Sequence, residues 1–237
     1  MPIAKNGSLK AVSSKQQHTD SSIHPQRQNI PHPHSIVLDP AEHYAFVADL
    51  GLDKMMIYKF NSTSGKLTPN KPPFVKVKAG GGPRHFVFHP SGKFAYTNLE
   101  LTSEVTAFKY DAKRGNLKQF QTITTLPKGF SGKNANAGIC ITPDGRFLYV
   151  SNRGHNSIAI FSINAKSGKL TMLRNESTRG DVPQTIKIDP TGNYIIVTDK
   201  RAGHVSSFRI NQKTGLLSYT DSINIVKVGT IEFRKIN

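Results

Sequence analysis

Four stretches of this chain repeat one pattern, and their spacing restricts the fold more than any other feature. They are HPHSIVLDPAEHYAFVADL, PRHFVFHPSGKFAYTNLEL, NAGICITPDGRFLYVSNRG and PQTIKIDPTGNYIIVTDKR. Each carries a turn proline, at Pro40, Pro90, Pro143 and Pro190, spaced by 50, 53 and 47 residues. A Gly-x-Leu turn follows in each unit, at Gly65, Gly115, Gly168 and Gly215, with the same three spacings. Two landmarks that keep step through three repeats mark one structural unit copied along the chain.

Inside a unit the pattern is β. Ser35 to Leu38 is a short apolar strand ended by Asp39-Pro40, a dipeptide that favours a turn because proline presets φ. Tyr44 to Val47 runs back, Met55 to Phe60 forms a third strand, and the Gly65 turn leads into a fourth. No helical periodicity appears, so the chain is all-β. Four strands in about fifty residues is the size of a propeller blade. The expected organisation is a single β-propeller domain over residues 1–237, with four complete blades at 31–79, 80–133, 134–180 and 181–225. Partial blades are expected at both ends. Gly7-Ser8-Leu9 repeats the Gly-x-Leu signal, so 1–30 reads as the end of a preceding blade and its connection. Val228 to Phe233 resembles Pro183 to Ile188, so 226–237 reads as a closing strand. The middle strands of that closing blade are missing, an N-terminally truncated organisation whose unpaired edges offer a route to oligomers.

Composition narrows the partners. Lys and Arg number 32 against 15 Asp and Glu, a net charge of +17 that invites a nucleic-acid reading. The basic residues are scattered, with no basic helix and no aromatic-basic cluster, so solvated lysines and attraction for small anions are the better account. No apolar run approaches the roughly 20 residues that span a bilayer, and MPIAKNGSLK lacks a signal-peptide stretch, so a cytoplasmic setting without membrane contact is expected. Cys140 is the single cysteine, and His32 and His34 have no acidic or cysteine partners at metal-ligand spacing. No cofactor and no metal are expected.

Superposing the repeats on their prolines locates a site. Six residues before the proline stand His34, Arg84, Ala137 and Gln184; ten after it stand Leu50, Glu100, Arg153 and Lys200. The first two strands form a hairpin, so both positions meet at the end opposite the proline turn. In a propeller the first strands line the central channel, so His34, Arg84, Glu100 and Arg153 gather at one channel mouth as the candidate catalytic group. His85, Asn152, His155 and Lys200 are the candidate substrate-binding residues beside them. The glycines Gly80 to Gly82 let the backbone approach a ligand. Asp49 and Asp199, nine residues after their prolines, read as blade-structural. Arginine forks bind carboxylate or phosphate, which suits an anionic substrate. A glutamate held among arginines stays ionised and can position or deprotonate a water.

The segments SSIHPQRQNIPHPHSIVLDP, VADLGLDKMMIY, GGGPRHFVFHPSGKFAY and TLPKGFSGKNANAGICITPDGRFLYVSNRGHNSIAIF, with the last repeat, resemble the seven-bladed propeller lactonases. That family includes a bacterial type of 6-phosphogluconolactonase and the fungal carboxy-cis,cis-muconate cyclase. The resemblance runs through nearly all of the chain and implies a metal-independent lactonase, a hydrolase of carbohydrate metabolism acting on a small anionic sugar-acid lactone. It also implies that His34, Arg84, Glu100 and Arg153 form the active-site group. Against a seven-bladed ring the four complete blades are an incomplete set. The chain departs from the family at Gly138, where a glutamate is usual, and at Gln184-Thr185, where a basic residue often follows the proline. A carboxymuconate-type cycloisomerase and a non-catalytic propeller that binds a ligand remain alternatives.

Overall fold

The computed structural model describes residues 1–225 and 227–233. Among the described residues, sixteen strands form four antiparallel sheets of four, each ordered as its strands follow in the chain. The first blade holds β1 (Pro33–Leu38), β2 (Tyr44–Asp49), β3 (Lys54–Asn61) and β4 (Lys66–Lys76). The second holds β5 (Pro83–Phe88), β6 (Phe94–Leu99), β7 (Glu104–Asp111) and β8 (Asn116–Thr124). The third holds β9 (Ala135–Ile141), β10 (Phe147–Arg153), β11 (Ser157–Ile163) and β12 (Leu170–Ser177). The fourth holds β13 (Pro183–Ile188), β14 (Tyr194–Asp199), β15 (His204–Ile210) and β16 (Leu217–Asn224). The first strands β1, β5, β9 and β13 lie side by side without pairing and line a cavity of about 400 Å³.

The repeated landmarks have separate physical tasks. The residue before each turn proline caps the turn that proline starts. Asp39 Oδ1 accepts from the His43 and Tyr44 amides, both at 2.7 Å, and Asp189 Oδ1 accepts from Tyr194 at 2.7 Å. Thr142 and His89 do the same for Phe147 and Ser91. The Gly-x-Leu glycines join blades. Gly168 has φ +71°, and a Cβ there would come within 2.5 Å of the Phe94 ring of the preceding blade. Gly115 meets Tyr44, and Gly215 meets Phe147, in the same way. Tyr96 and Tyr149 add a hydroxyl hydrogen bond to the carbonyls of Gly168 and Gly215, each at 2.9 Å. The apolar cores lie at these joints: Phe46, Met55 and Ile57 pack with Phe86, Leu99 and Phe108, and equivalent clusters fill the next two gaps.

The chain ends depart from expectation. Among the described residues, Ile3 and Leu9 form one isolated bridge, and 1–30 contributes no strand to a sheet. The segment instead straps the first blade through side-chain hydrogen bonds. Ser14 Oγ and Gln16 Nε2 bond the Leu67 backbone at 3.2 and 3.0 Å, and His18 bridges Asp49 (2.5 Å) and the Tyr58 hydroxyl (2.8 Å). At the other end 228–233 forms no strand, and the Gly229 carbonyl accepts from the Thr185 and Thr198 hydroxyls. Val226 and 234–237 of the expected closing strand lie outside the described residues.

Asp49 and Asp199 occupy the same repeat position but differ in their surroundings. Asp49 accepts from His18 and from the His32 and Gly51 amides. Neither oxygen of buried Asp199 has a hydrogen-bond partner among the described residues, and His204 Nε2 stands 3.4 Å away. Burial raises the Asp199 pKa to about 6, which the charge of His204 only partly offsets.

Two stability predictions follow from these features. Gly168→Ala forces an L side chain into positive φ and against Phe94, so it should destabilise by about 2 kcal/mol or more in urea unfolding. Both states are protonated only well below pH 3.8, so the raised Asp199 pKa costs nothing there; the cost grows as pH rises from about 4 to 6 and levels off above that. Asp199→Asn should therefore change little at pH 4 and stabilise by about 2–3 kcal/mol at pH 7.5. A pH-independent difference between the two proteins would contradict it.

Candidate active site

The position six residues before the proline coincides with a register break in every blade. The β1–β2 ladder slips between Pro33 and Ser35, β5–β6 between Pro83 and Phe86, and β13–β14 between Pro183 and Thr185. The β9–β10 ladder slips opposite Ser151, where Ala137 and Gly138 stand. A bulge adds a residue to one strand and re-aims its side chain. His34, Arg84 and Gln184 are thereby turned out of the regular alternation at one end of the sheets. Opposite each bulge the chain leaves the second strand, and the residue ten after the proline is tied back to the connection before the blade. Leu50 N donates to His32 O at 3.1 Å, Glu100 N to Gly82 O at 2.8 Å, and Lys200 N to Val182 O at 3.0 Å.

Glu100 is the centre of the site. Its side chain is 3% exposed, and three guanidinium groups surround it. Arg84 Nε is 2.7 Å from Oε2, Arg153 Nη2 is 3.0 Å from the same oxygen, and Arg27 Nη1 is 2.7 Å from Oε1. Burial by itself would raise the Glu100 pKa. The charges of Arg153, Arg84 and Arg27 outweigh it and hold the carboxyl below the ordinary carboxylate range. Burial lowers the Arg84 pKa to about 10, with Glu100 acting against that fall, so this arginine is charged at neutral pH. Its Nη1 also donates to Ala137 O at 3.0 Å, which fixes the guanidinium against the third blade.

Two imidazoles extend the group. His85 lies against Arg84 Nη1, with ring nitrogens at 3.1 and 3.3 Å, and the His34 ring packs edge-on to His85 at 5.1 Å between centroids. Burial, then the Arg84 charge, depresses both: His34 to about 4 and His85 to about 3. Both are therefore neutral near pH 7. His34 reaches Glu100 only through His85 and Arg84, and its Nδ1 is buried without a hydrogen-bond partner among the described residues.

The other expected substrate contacts sit elsewhere. Asn152 is fully buried inside the third blade, exchanging hydrogen bonds with Thr125 and accepting one from Asn134, because adjacent strand residues face opposite ways and Arg153 takes the open side. His155 bonds Ser157 Oγ at 2.6 Å and packs edge-to-face on Phe130, 4.9 Å between centroids, in the 126–134 connection. Lys200 has an exposed side chain, and its neighbour Arg201 lines the site instead. The Gly80 to Gly82 backbone does not await a ligand. The Gly80 and Gly82 amides donate to the two Asp53 oxygens at 2.7 Å each, and Leu50, Leu99 and Leu101 pack on these glycines. A Cβ at Gly138 would meet the Ile186 backbone nitrogen at 2.9 Å, so close packing of β9 on β13 favours the glycine.

Two members stand outside the expected site residues. Gln184 Oε1 accepts from Arg153 Nη1 at 3.4 Å, and the repeat position flagged it, but as a neutral side chain it was not counted. Arg27 lies outside any repeat, in a turn that no periodicity marks. Arg27, Arg153 and Glu100 face a cleft of about 430 Å³, which Lys133, Arg201 and Asp181 also line. Four cations against two carboxylates leave the cleft positive, suited to an anion. Glu100→Gln removes the only carboxylate facing Arg27, Arg84 and Arg153 among the described residues and should destabilise by about 3 kcal/mol, read by thermal and urea unfolding. An unchanged midpoint would contradict the clamp.

Known proteins resemble this chain in sequence and in fold. A family model described as lactonase, 7-bladed β-propeller, matches residues 1–233. A Bacillus subtilis 6-phosphogluconolactonase is 38% identical over 188 residues, covering 79% of this chain and 52% of the relative. A Formosa agariphila 6-phosphogluconolactonase is 38% identical, covering 79% and 53%. The solved periplasmic gluconolactonase of Pseudomonas aeruginosa superposes with TM-score 0.89 at 33% identity, over 95% of this chain and 63% of that one. The chain thus spans about half the length of the curated relatives it matches. Its repeats, its blades and a match running through residues 1–233 show that it belongs to the seven-bladed β-propeller lactonase family.

Proposed function

We propose that this chain carries the active site of a lactonase that opens a sugar-acid lactone, with 6-phosphogluconolactone as the first substrate to try. The observation that carries the reading is the ionised Glu100 held by three arginines at the floor of a positive cleft. Its relatives are named 6-phosphogluconolactonase and gluconolactonase.

Hydrolysis needs a water aimed at the ring carbonyl, stabilisation of the oxyanion and a proton for the departing ring oxygen. Arg153, 20% exposed and tied to Asn136 O and Gln184, offers its guanidinium to the oxyanion as the water adds. Glu100 accepts the water's proton as the carbon–oxygen bond forms, and returns it to the ring oxygen when the ester bond breaks. The product is an open-chain hydroxy acid whose carboxyl ionises in solution. Arg84 fixes Glu100 from beneath. Neutral His85 packs on Arg84 and His34 on His85, behind Glu100, without adding positive charge.

A second reading is a non-catalytic site that binds a sugar acid. The triple clamp favours it, since a carboxylate held below the ordinary range is a weak base. The two readings part on turnover. With background lactone hydrolysis subtracted, Glu100→Gln should lower kcat by roughly a hundredfold or more, and Arg153→Ala by a similar factor. Rates unaffected by either substitution would overturn the lactonase assignment. Saturable binding of 6-phosphogluconate without turnover would establish the binding site instead.

A further inference from the structure

The three arginines on Glu100 are not equivalent. Arg84 is 4% exposed and Arg153 20%, while Arg27 is 38% exposed and lines the cleft wall. Oε2 is shared by Arg84 and Arg153. Oε1 has only Arg27 as an ion-pair partner among the described residues. Withdrawal of Arg27 would open one carboxylate oxygen and leave the other held.

The backbone that carries Arg27 is fixed independently of its side chain. Gln28 is fully buried, and its Nε2 donates to Leu50 O at 2.8 Å and Asp53 Oδ1 at 2.7 Å. Its Oε1 accepts from His24 N at 3.0 Å, and Gln28 N donates to His24 O at 2.9 Å. The Arg27 side chain therefore extends from a rigid turn and reaches a buried carboxylate with its tip alone. Across the cleft, exposed Lys133 and the Arg201–Asp181 pair complete a wall that attracts anions.

We propose that Arg27 determines substrate specificity: a phosphate monoester entering the cleft draws its guanidinium away from Glu100 and frees Oε1 to hold a water. A phosphate dianion offers the fork more charge and more acceptor oxygens than one shared carboxylate oxygen does. A substrate without that group leaves Arg27 on Glu100 and the water site closed. The anionic substrate thus completes the site that acts on it. The role of the freed oxygen rests on the lactonase reading; the recognition of the phosphate does not.

The test compares binding of 6-phosphogluconate and gluconate by calorimetry in the wild-type chain, Arg27→Met and Arg27→Lys, with melting temperatures measured alongside. Wild type should prefer the phosphorylated acid by roughly tenfold to a hundredfold, the scale of a charge-assisted hydrogen bond. Arg27→Met should remove that preference while the protein stays folded, and Arg27→Lys should restore part of it. In turnover, Arg27→Met should raise KM for the phosphorylated lactone and raise kcat for unphosphorylated gluconolactone, whose hydrolysis no longer waits on Arg27. Preference retained in Arg27→Met would overturn the proposal, as would an equal loss for both acids. If wild type shows the Arg27-dependent preference but hydrolyses neither lactone, the lactonase reading falls and phosphate recognition by Arg27 stands.

Discussion

A carboxylate removed from water must be neutralised where it lies, and Glu100 meets that requirement with partners from three separate parts of the chain. Arg27 comes from the strap before the first blade, Arg84 from the second blade and Arg153 from the third. None of these stretches places its arginine correctly unless the blades are packed as they are. The ion cluster therefore reports on the fold and depends on it. Its surplus of positive charge explains why the site suits anions, and it adds to the burial that holds the two histidines beside it neutral.

Repetition builds the frame, and departures from repetition build the site. Every blade uses a capped proline turn at one end of its first hairpin and a bulge at the other. Aromatic rings seated on positive-φ glycines set each blade against the next. Those features recur because each joint solves the same packing problem. At the bulge end the residues diverge: histidine, arginine, alanine and glutamine on the first strands, and leucine, glutamate, arginine and lysine beyond the second. One scaffold position is thus filled with different chemistry in each blade, and the site is asymmetric although its frame is not.

The four blades were legible in the sequence because proline and glycine mark turns directly, and the pattern of hairpin ends was enough to bring Arg84, Glu100 and Arg153 together. What was not legible depended on direction and on segments outside the repeat. Asn152 and Arg153 are adjacent, and only the strand's alternation decides that one is buried in the blade and the other faces the cleft. The bulges leave no residue signature of their own. The three glycines before Arg84 looked like a place for a ligand, whereas their amides serve Asp53, a partner 27 and 29 residues away. Arg27 comes from a strap whose contacts are made by side chains rather than by a strand ladder, so periodicity could not find it.

Since the cluster at Glu100 carries both the fold's asymmetry and its proposed chemistry, the charge state of that carboxyl is the quantity to measure. Carbon-13 NMR of the glutamate carboxyls, with the Glu100 signal assigned by its loss in Glu100→Gln, reads it directly. A carboxylate clamped by Arg27, Arg84 and Arg153 keeps its ionised shift as the pH falls through 4.5 and protonates only below the ordinary glutamate value. Protonation at or above 4.5 would mean that burial outweighs the three arginines, and the clamp described above would not hold.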